Sequence, residues 1–100
     1  MIIYNVTVKV EPHIAEAWLH WLRTEHAPEM IATHCFTEYR IVKLLDVEEY
    51  DGHTYAVQYF APDLDAYKHY LKQHNAALQK KAADKWSDQL VSFSTIMEVL

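Results

Sequence analysis

Apolar and polar residues alternate from Ile2 to Val10. Ile2, Tyr4, Val6, Val8 and Val10 share one face, and Ile3, Asn5, Thr7 and Lys9 share the other, which is the period of a β-strand. After Pro12, which suits a first helical turn, the period changes. Ile14, Ala17, Trp18, Trp21 and Leu22 recur at helical spacing, and Glu25 ends the stripe. Pro28 disfavours helix in the residue before it, so the helix is expected to weaken at His26 and Ala27. A second short helical piece is expected over 29–33. Residues 36–47 read as a strand with Tyr39, Ile41, Leu45 and Val47 on one face. The run "EEYDGH" carries the only glycine, Gly52, and marks a turn. A third strand sets Tyr55, Val57 and Tyr59 against Thr54, Ala56, Gln58 and Phe60. Asp63 is a candidate N-cap for one long helix with its stripe on Leu64, Tyr67, Leu71, Leu78 and Ala82, reaching toward Trp86. A last strand over 90–100 sets Val91, Phe93, Thr95, Met97 and Val99 on one face.

The order is βαββαβ, and its halves resemble each other. "EAWLHWLR", from Glu16, returns forty-nine residues later as "DAYKHYLK", from Asp65. The same shift lays Val6, Val8 and Val10 on Tyr55, Val57 and Tyr59, so a strand and its helix recur together. Two such halves predict an α+β, ferredoxin-like single domain over 1–100: a four-stranded antiparallel sheet with both helices on one face. Trp18, Trp21, Tyr67 and Tyr70 then pack onto the sheet as core. Glu16 with His20, and Asp65 with His69, read as solvated i, i+4 pairs, worth a few tenths of a kcal/mol.

Composition narrows the function classes. Half of the 100 residues are hydrophobic, enough for a core without staples. A net charge of -5 with scattered Lys and Arg excludes a phosphate-neutralising face, so no nucleic-acid partner is expected. No run approaches the roughly 20 apolar residues of a membrane span, and "MIIYNVTVKV" lacks a basic leader, so no membrane and no secretion signal are expected. The single Cys35 suits a reducing cytoplasm. With His34 beside it, it lacks the spacing of a structural zinc site. No H-x-x-x-H, no G-x-S-x-G and no glycine-rich loop is present. No metal and no cofactor are expected.

Two features carry the functional expectation. The sheet face turned from the helices is assigned Asn5, Thr7, Ala56, Gln58, Phe60, Ser92, Ser94 and Ile96. This mixed patch is suited to pairing with a second copy; Thr7, Phe60, Ser94 and Ile96 are its candidate contacts. In "EHAPEM", His26 stands at the expected helix break, either as a capping histidine favoured by the helix dipole or as a general base or hydrogen-bonding partner for a ligand. Asn5, His26 and Gln58 would hold a small apolar molecule in a pocket lined by Trp21 and Tyr59. The leading expectation is a cytoplasmic homodimer with a small-molecule-binding or accessory role. The alternative is a cofactor-independent or flavin-assisted monooxygenase or isomerase of a small apolar or aromatic substrate.

"MIIYNVTVKV", "WLRTEHAPEM", "HTYAVQYF" and "VSFSTIMEVL", in that order, resemble an uncharacterised bacterial family, domain of unknown function 4286. The resemblance implies a dimeric α/β barrel of the ferredoxin-like class. An arginine common in that family is replaced here by Ser94. W-x-x-x-x-H-A-P, from Trp21 to Pro28, is similar to the helix-end signature of ethyl tert-butyl ether degradation proteins and small monooxygenases. Haem-degrading relatives of the fold use an Asn, a Trp and a His. Asn5 matches the first, whereas Tyr70 and Lys80 stand at the other two positions, so no haem site is implied.

Overall fold

The structure is a computed structural model that describes residues 1–50 and 52–100. Four strands, β1 (Ile2–Val10), β2 (Glu38–Lys43), β3 (His53–Ala61) and β4 (Leu90–Glu98), form one sheet in the order β2-β3-β1-β4. Every neighbouring pair is antiparallel. The first crossover carries α1 (Ala15–Trp21) and α2 (Ala27–Ala32), the second α3 (Leu64–Gln73) and α4 (Asn75–Trp86). This is the expected ferredoxin-like α+β arrangement, with β1 and β3 at its centre.

Side chains at paired positions share a face, so the register sorts the sheet. Tyr4 pairs Tyr59 and Ile96; Val6 pairs Val57 and Ser94; Val8 pairs Tyr55 and Ser92. The helices cover this inner face, where Trp18 packs on Tyr55 at 5.2 Å and Tyr70 on Tyr4 at 5.6 Å between ring centroids. Tyr4, Phe36, Tyr59 and Tyr70 form a buried aromatic cluster. Burying residues such as Leu22, Met30 and Val57 contributes ~1.5–3 kcal/mol each.

The register reverses the expected facing of the last strand. Ser92, Ser94 and Ile96 lie on the inner face, and Val91, Phe93, Thr95 and Met97 on the outer one. Serines had marked a polar outer face. In fact the helical layer leaves this edge strand largely uncovered, so its inner side is also wet and tolerates Ser92 and Ser94. Strand β2 stops at Lys43 rather than 47, and a left-handed Asp46 (φ 57°) turns the chain away, leaving Leu45 and Val47 exposed. Gly52 is required by proximity: a Cβ there would lie 2.7 Å from the Val10 carbonyl oxygen. The preceding Asp51 of the expected turn lies outside the described residues.

Two helices also depart from expectation. The first does not break at His26. It widens into a π-helical turn, Leu22–His26, closed by the Ala27 amide donating to the Leu22 carbonyl, and then continues into α2. The extra residue of a π-turn accommodates Pro28, which has no N–H to give to the carbonyl four residues back. Ala17 faces solvent while Ala15 is buried. The second helix is interrupted at His74 (φ -128°, ψ -29°). Leu64 and Leu71, expected inside, are exposed, and Tyr70 takes the core position. Asp63 is the N-cap, its carboxylate accepting from the Ala66 amide at 2.9 Å.

Candidate functional site

A cavity of about 60 Å³ lies between the inner sheet face and the helices. The sheet contributes Tyr4, Val6, Val8, Val57, Tyr59, Leu90 and Ser92, and the first crossover contributes Trp18, Trp21, Leu22, His26 and Met30. Helix α4 closes one side with Gln79 and Ala82. The walls are apolar apart from His26, Gln79, Ser92 and the tyrosine hydroxyls. Ser92, Gln79, Tyr4 and Val6 also border a second, more open space of about 240 Å³ between α4 and β4, where Asn75 and Ser94 lie beside them. A greasy chamber thus opens through a polar mouth.

The π-turn explains how a histidine reaches this chamber. It displaces the end of the first helix so that the His26 ring stacks on Trp21, 4.7 Å between centroids and 19° between planes. Trp86 meets Trp21 edge-on at 5.7 Å. Burial holds the His26 pKa below its ordinary value; the Glu29 carboxylate pulls it back up and Lys81 pushes it down, both more weakly. His26 is therefore a neutral imidazole at pH 7, able to accept a proton or hydrogen bond from a ligand. At the mouth the Tyr4 hydroxyl interacts with Ser94 and Tyr70, and Tyr70 donates to Asn75 Oδ1 at 3.1 Å. Burial raises the pKa of Tyr4, Tyr59 and Tyr70, which keeps these hydroxyls protonated.

Of the five expected pocket residues, Trp21, His26 and Tyr59 meet in this cavity. Asn5 and Gln58 do not. They pair with each other across β1 and β3 on the outer face, where Asn5 donates to Thr7 Oγ1 at 3.1 Å and Gln58 accepts from Arg40. A residue on the opposite face of a strand cannot enter a pocket on this one. Of the expected contacts for a second copy, Thr7 and Phe60 lie on the outer face, Ser94 and Ile96 on the inner. Lys80 is exposed and pairs with Asp84 at 2.8 Å. Glu16, His20, Asp65 and His69 are all exposed. Sequence reasoning missed Gln79, Ala82, Leu90 and Ser92. Only the correct facing of β4 and the helix break at His74 reveal them.

The sequence profile of the domain of unknown function DUF4286 matches residues 1–100. The chain belongs to this family. No curated protein matches the sequence. Among solved structures, the DUF4286 chain is similar to a dimeric ferredoxin-like protein from an uncultured marine organism, with TM-score 0.72 and 9% identity over 98% of this chain and 97% of that one. An ethyl tert-butyl ether (EthD) family protein of Bacillus halodurans gives TM-score 0.68 at 14% identity, with both chains fully covered. SnoaB, a cofactor-independent oxygenase from Streptomyces nogalater, gives TM-score 0.65 at 15% identity over 98% and 92%. At these identities the likeness establishes a shared fold. No helix of the described residues is long and apolar enough to cross a membrane.

Proposed function

We propose that this DUF4286 protein is a bacterial, cytoplasmic homodimer that binds a small apolar or aromatic molecule carrying one polar group. The observation that carries the reading is the neutral, Trp21-stacked His26 in an otherwise apolar chamber. Such a site favours a ligand whose ring takes the chamber and whose hydroxyl donates to the imidazole, while Gln79, Ser92 and Ser94 meet polar atoms at the mouth.

Pairing with a second copy is supported by the outer face, which exposes Val91 (71%) and Phe93 (65%) beside Thr7 and Phe60. An exposed apolar patch on one sheet face is characteristic of an association surface, and the fold neighbour from the marine organism is itself described as dimeric. A second reading, a cofactor-independent or flavin-assisted monooxygenase or isomerase, is favoured by one feature. An imidazole held neutral beside an apolar chamber is what proton abstraction from a bound aromatic substrate requires.

Native mass spectrometry of the purified protein tests both parts. The expected result is twice the chain mass, with a small organic molecule retained by the wild type and reduced in His26→Ala. A single-chain mass would overturn the dimer. Equal retention by His26→Ala would overturn the role of the imidazole. Turnover of that molecule by the wild type and not by the variant would select the enzyme.

A further inference from the structure

Outside the cavity, the described residues include a further cluster of reactive side chains. The Cys35 thiol and the imidazoles of His69 and His74 each place a ligand-type atom within 4.8 Å of the others. We propose that these three residues bind a single Zn²⁺ ion, with water as the fourth ligand.

Local sequence does not announce the site, because Cys35 and His69 are 34 residues apart. Two departures from regular structure build it. On one side, α2 ends with His34 in the left-handed region (φ 64°), a conformation that costs a non-glycine residue about 1–2 kcal/mol. Thr33 Oγ1 donates to the Met30 carbonyl at 2.7 Å and accepts from the Cys35 amide at 3.2 Å, which fixes the turn and directs Cys35 inward. On the other side, His69 and His74 are five residues apart, and an unbroken α-helix would set them about 140° around its axis. The interruption between α3 and α4 falls at His74 itself and brings the two rings edge to face, 5.8 Å between centroids. Phe36, next to Cys35, packs on the fully buried Tyr70 at 5.0 Å and ties the two halves together.

The donor set has the chemistry of zinc. One thiolate and two neutral imidazoles suit a borderline-soft ion, and three protein ligands plus water is a common open zinc arrangement. Zn–N and Zn–S distances require ligand atoms about 3.3–3.6 Å apart in a tetrahedron. Closing from separations of up to 4.8 Å needs movements of about 1 Å, available to the solvent-exposed His69. Cys35 is buried, His74 half-buried and His69 exposed, so the ion enters from the His69 side and water meets it there. The Cys35 thiol makes a 3.7 Å contact with the Thr33 carbonyl, a weak bond to surrender.

The test uses the full chain stripped with a chelator. It is dialysed against limiting Zn²⁺ and assayed for metal, with Co²⁺ as a spectroscopic substitute. We expect one Zn²⁺ per chain, a rise in Tm on binding, and a thiolate-to-cobalt charge-transfer band that is absent in Cys35→Ser. His69→Ala, which removes an exposed side chain and leaves the core intact, is expected to weaken binding by about tenfold or more. A wild type that retains no more Zn²⁺ than the Cys35→Ser/His69→Ala double variant overturns the site. So does Zn²⁺ binding unchanged in both His69→Ala and His74→Ala.

Discussion

Ala82→Leu asks whether the chamber is hollow. Ala82 is half-buried on α4 and lines the cavity, so a larger side chain there grows into it. Alanine and leucine are both strong helix formers, so the substitution leaves helix propensity almost unchanged. Unfilled volume costs about 24 cal/mol per Å³ in buried sites. Filling the 60 Å³ chamber therefore gains up to about 1.4 kcal/mol by that coefficient. For a domain of this size 1 kcal/mol moves Tm by roughly 4–8 °C, so the ceiling is a rise of roughly 6–11 °C. A packed interior gives the opposite sign, since adding carbons to a filled core costs about 1–3 kcal/mol. Urea unfolding with a constant slope measures the difference, and the same variant must lose affinity for small aromatics. A destabilised Ala82→Leu, or a stabilised one that binds as before, refutes the placement of the ligand.

Three further outcomes follow from the same structure. Phe93→Asp, on the exposed outer face, is expected to convert the dimer to monomer in sedimentation velocity with little change in monomer fold, and Phe60→Asp to do the same; an unchanged mass in both contradicts the interface. Because burial lowers the His26 pKa below that of the unfolded chain, the unfolded state binds the proton first. The stability His26 contributes is complete above about pH 6.5 and is lost as pH falls toward its folded pKa. His26→Gln should flatten the urea midpoint between pH 7.5 and 5, an effect absent if the ring is solvated. Asp63→Ala removes the acceptor for the Ala66 amide and is expected to cost about 1 kcal/mol in thermal unfolding.

Where one face of an element is buried, its pattern was readable. β1 and β3 alternate cleanly because both lie centrally under helices, and the strand–helix repeat disclosed the topology. The errors fall where burial does not constrain the chain. β4 is an edge strand, wet on both faces, so Ser92 and Ser94 carry no signal of direction; the facing follows from hydrogen-bond register with β1. That one reversal moved Ser94 and Ile96 to the wrong side. Asn5 and Gln58 were grouped with His26 by chemistry, although strand parity alone separates Asn5 from Tyr4. Pro28 signalled a disturbance in the helix, but a proline can be met by a break or by a wider turn, and the tertiary packing of His26 on Trp21 decides for the turn. The interruption at His74, followed by the turn-favouring Asn75, was hidden within an apolar stripe that continues in phase.

The central claim is that the chamber beneath Trp21 and His26 is the ligand site. Methyl-resolved NMR during a phenol titration tests it most directly, since phenol offers one ring and one donating hydroxyl. The account predicts saturable shifts at the methyls of Val6, Val8, Leu22, Val57 and Leu90, which line the cavity, and none at Val42 and Val91 on the outer face. Shifts centred on the outer face, or no saturable change at the cavity methyls, would contradict it.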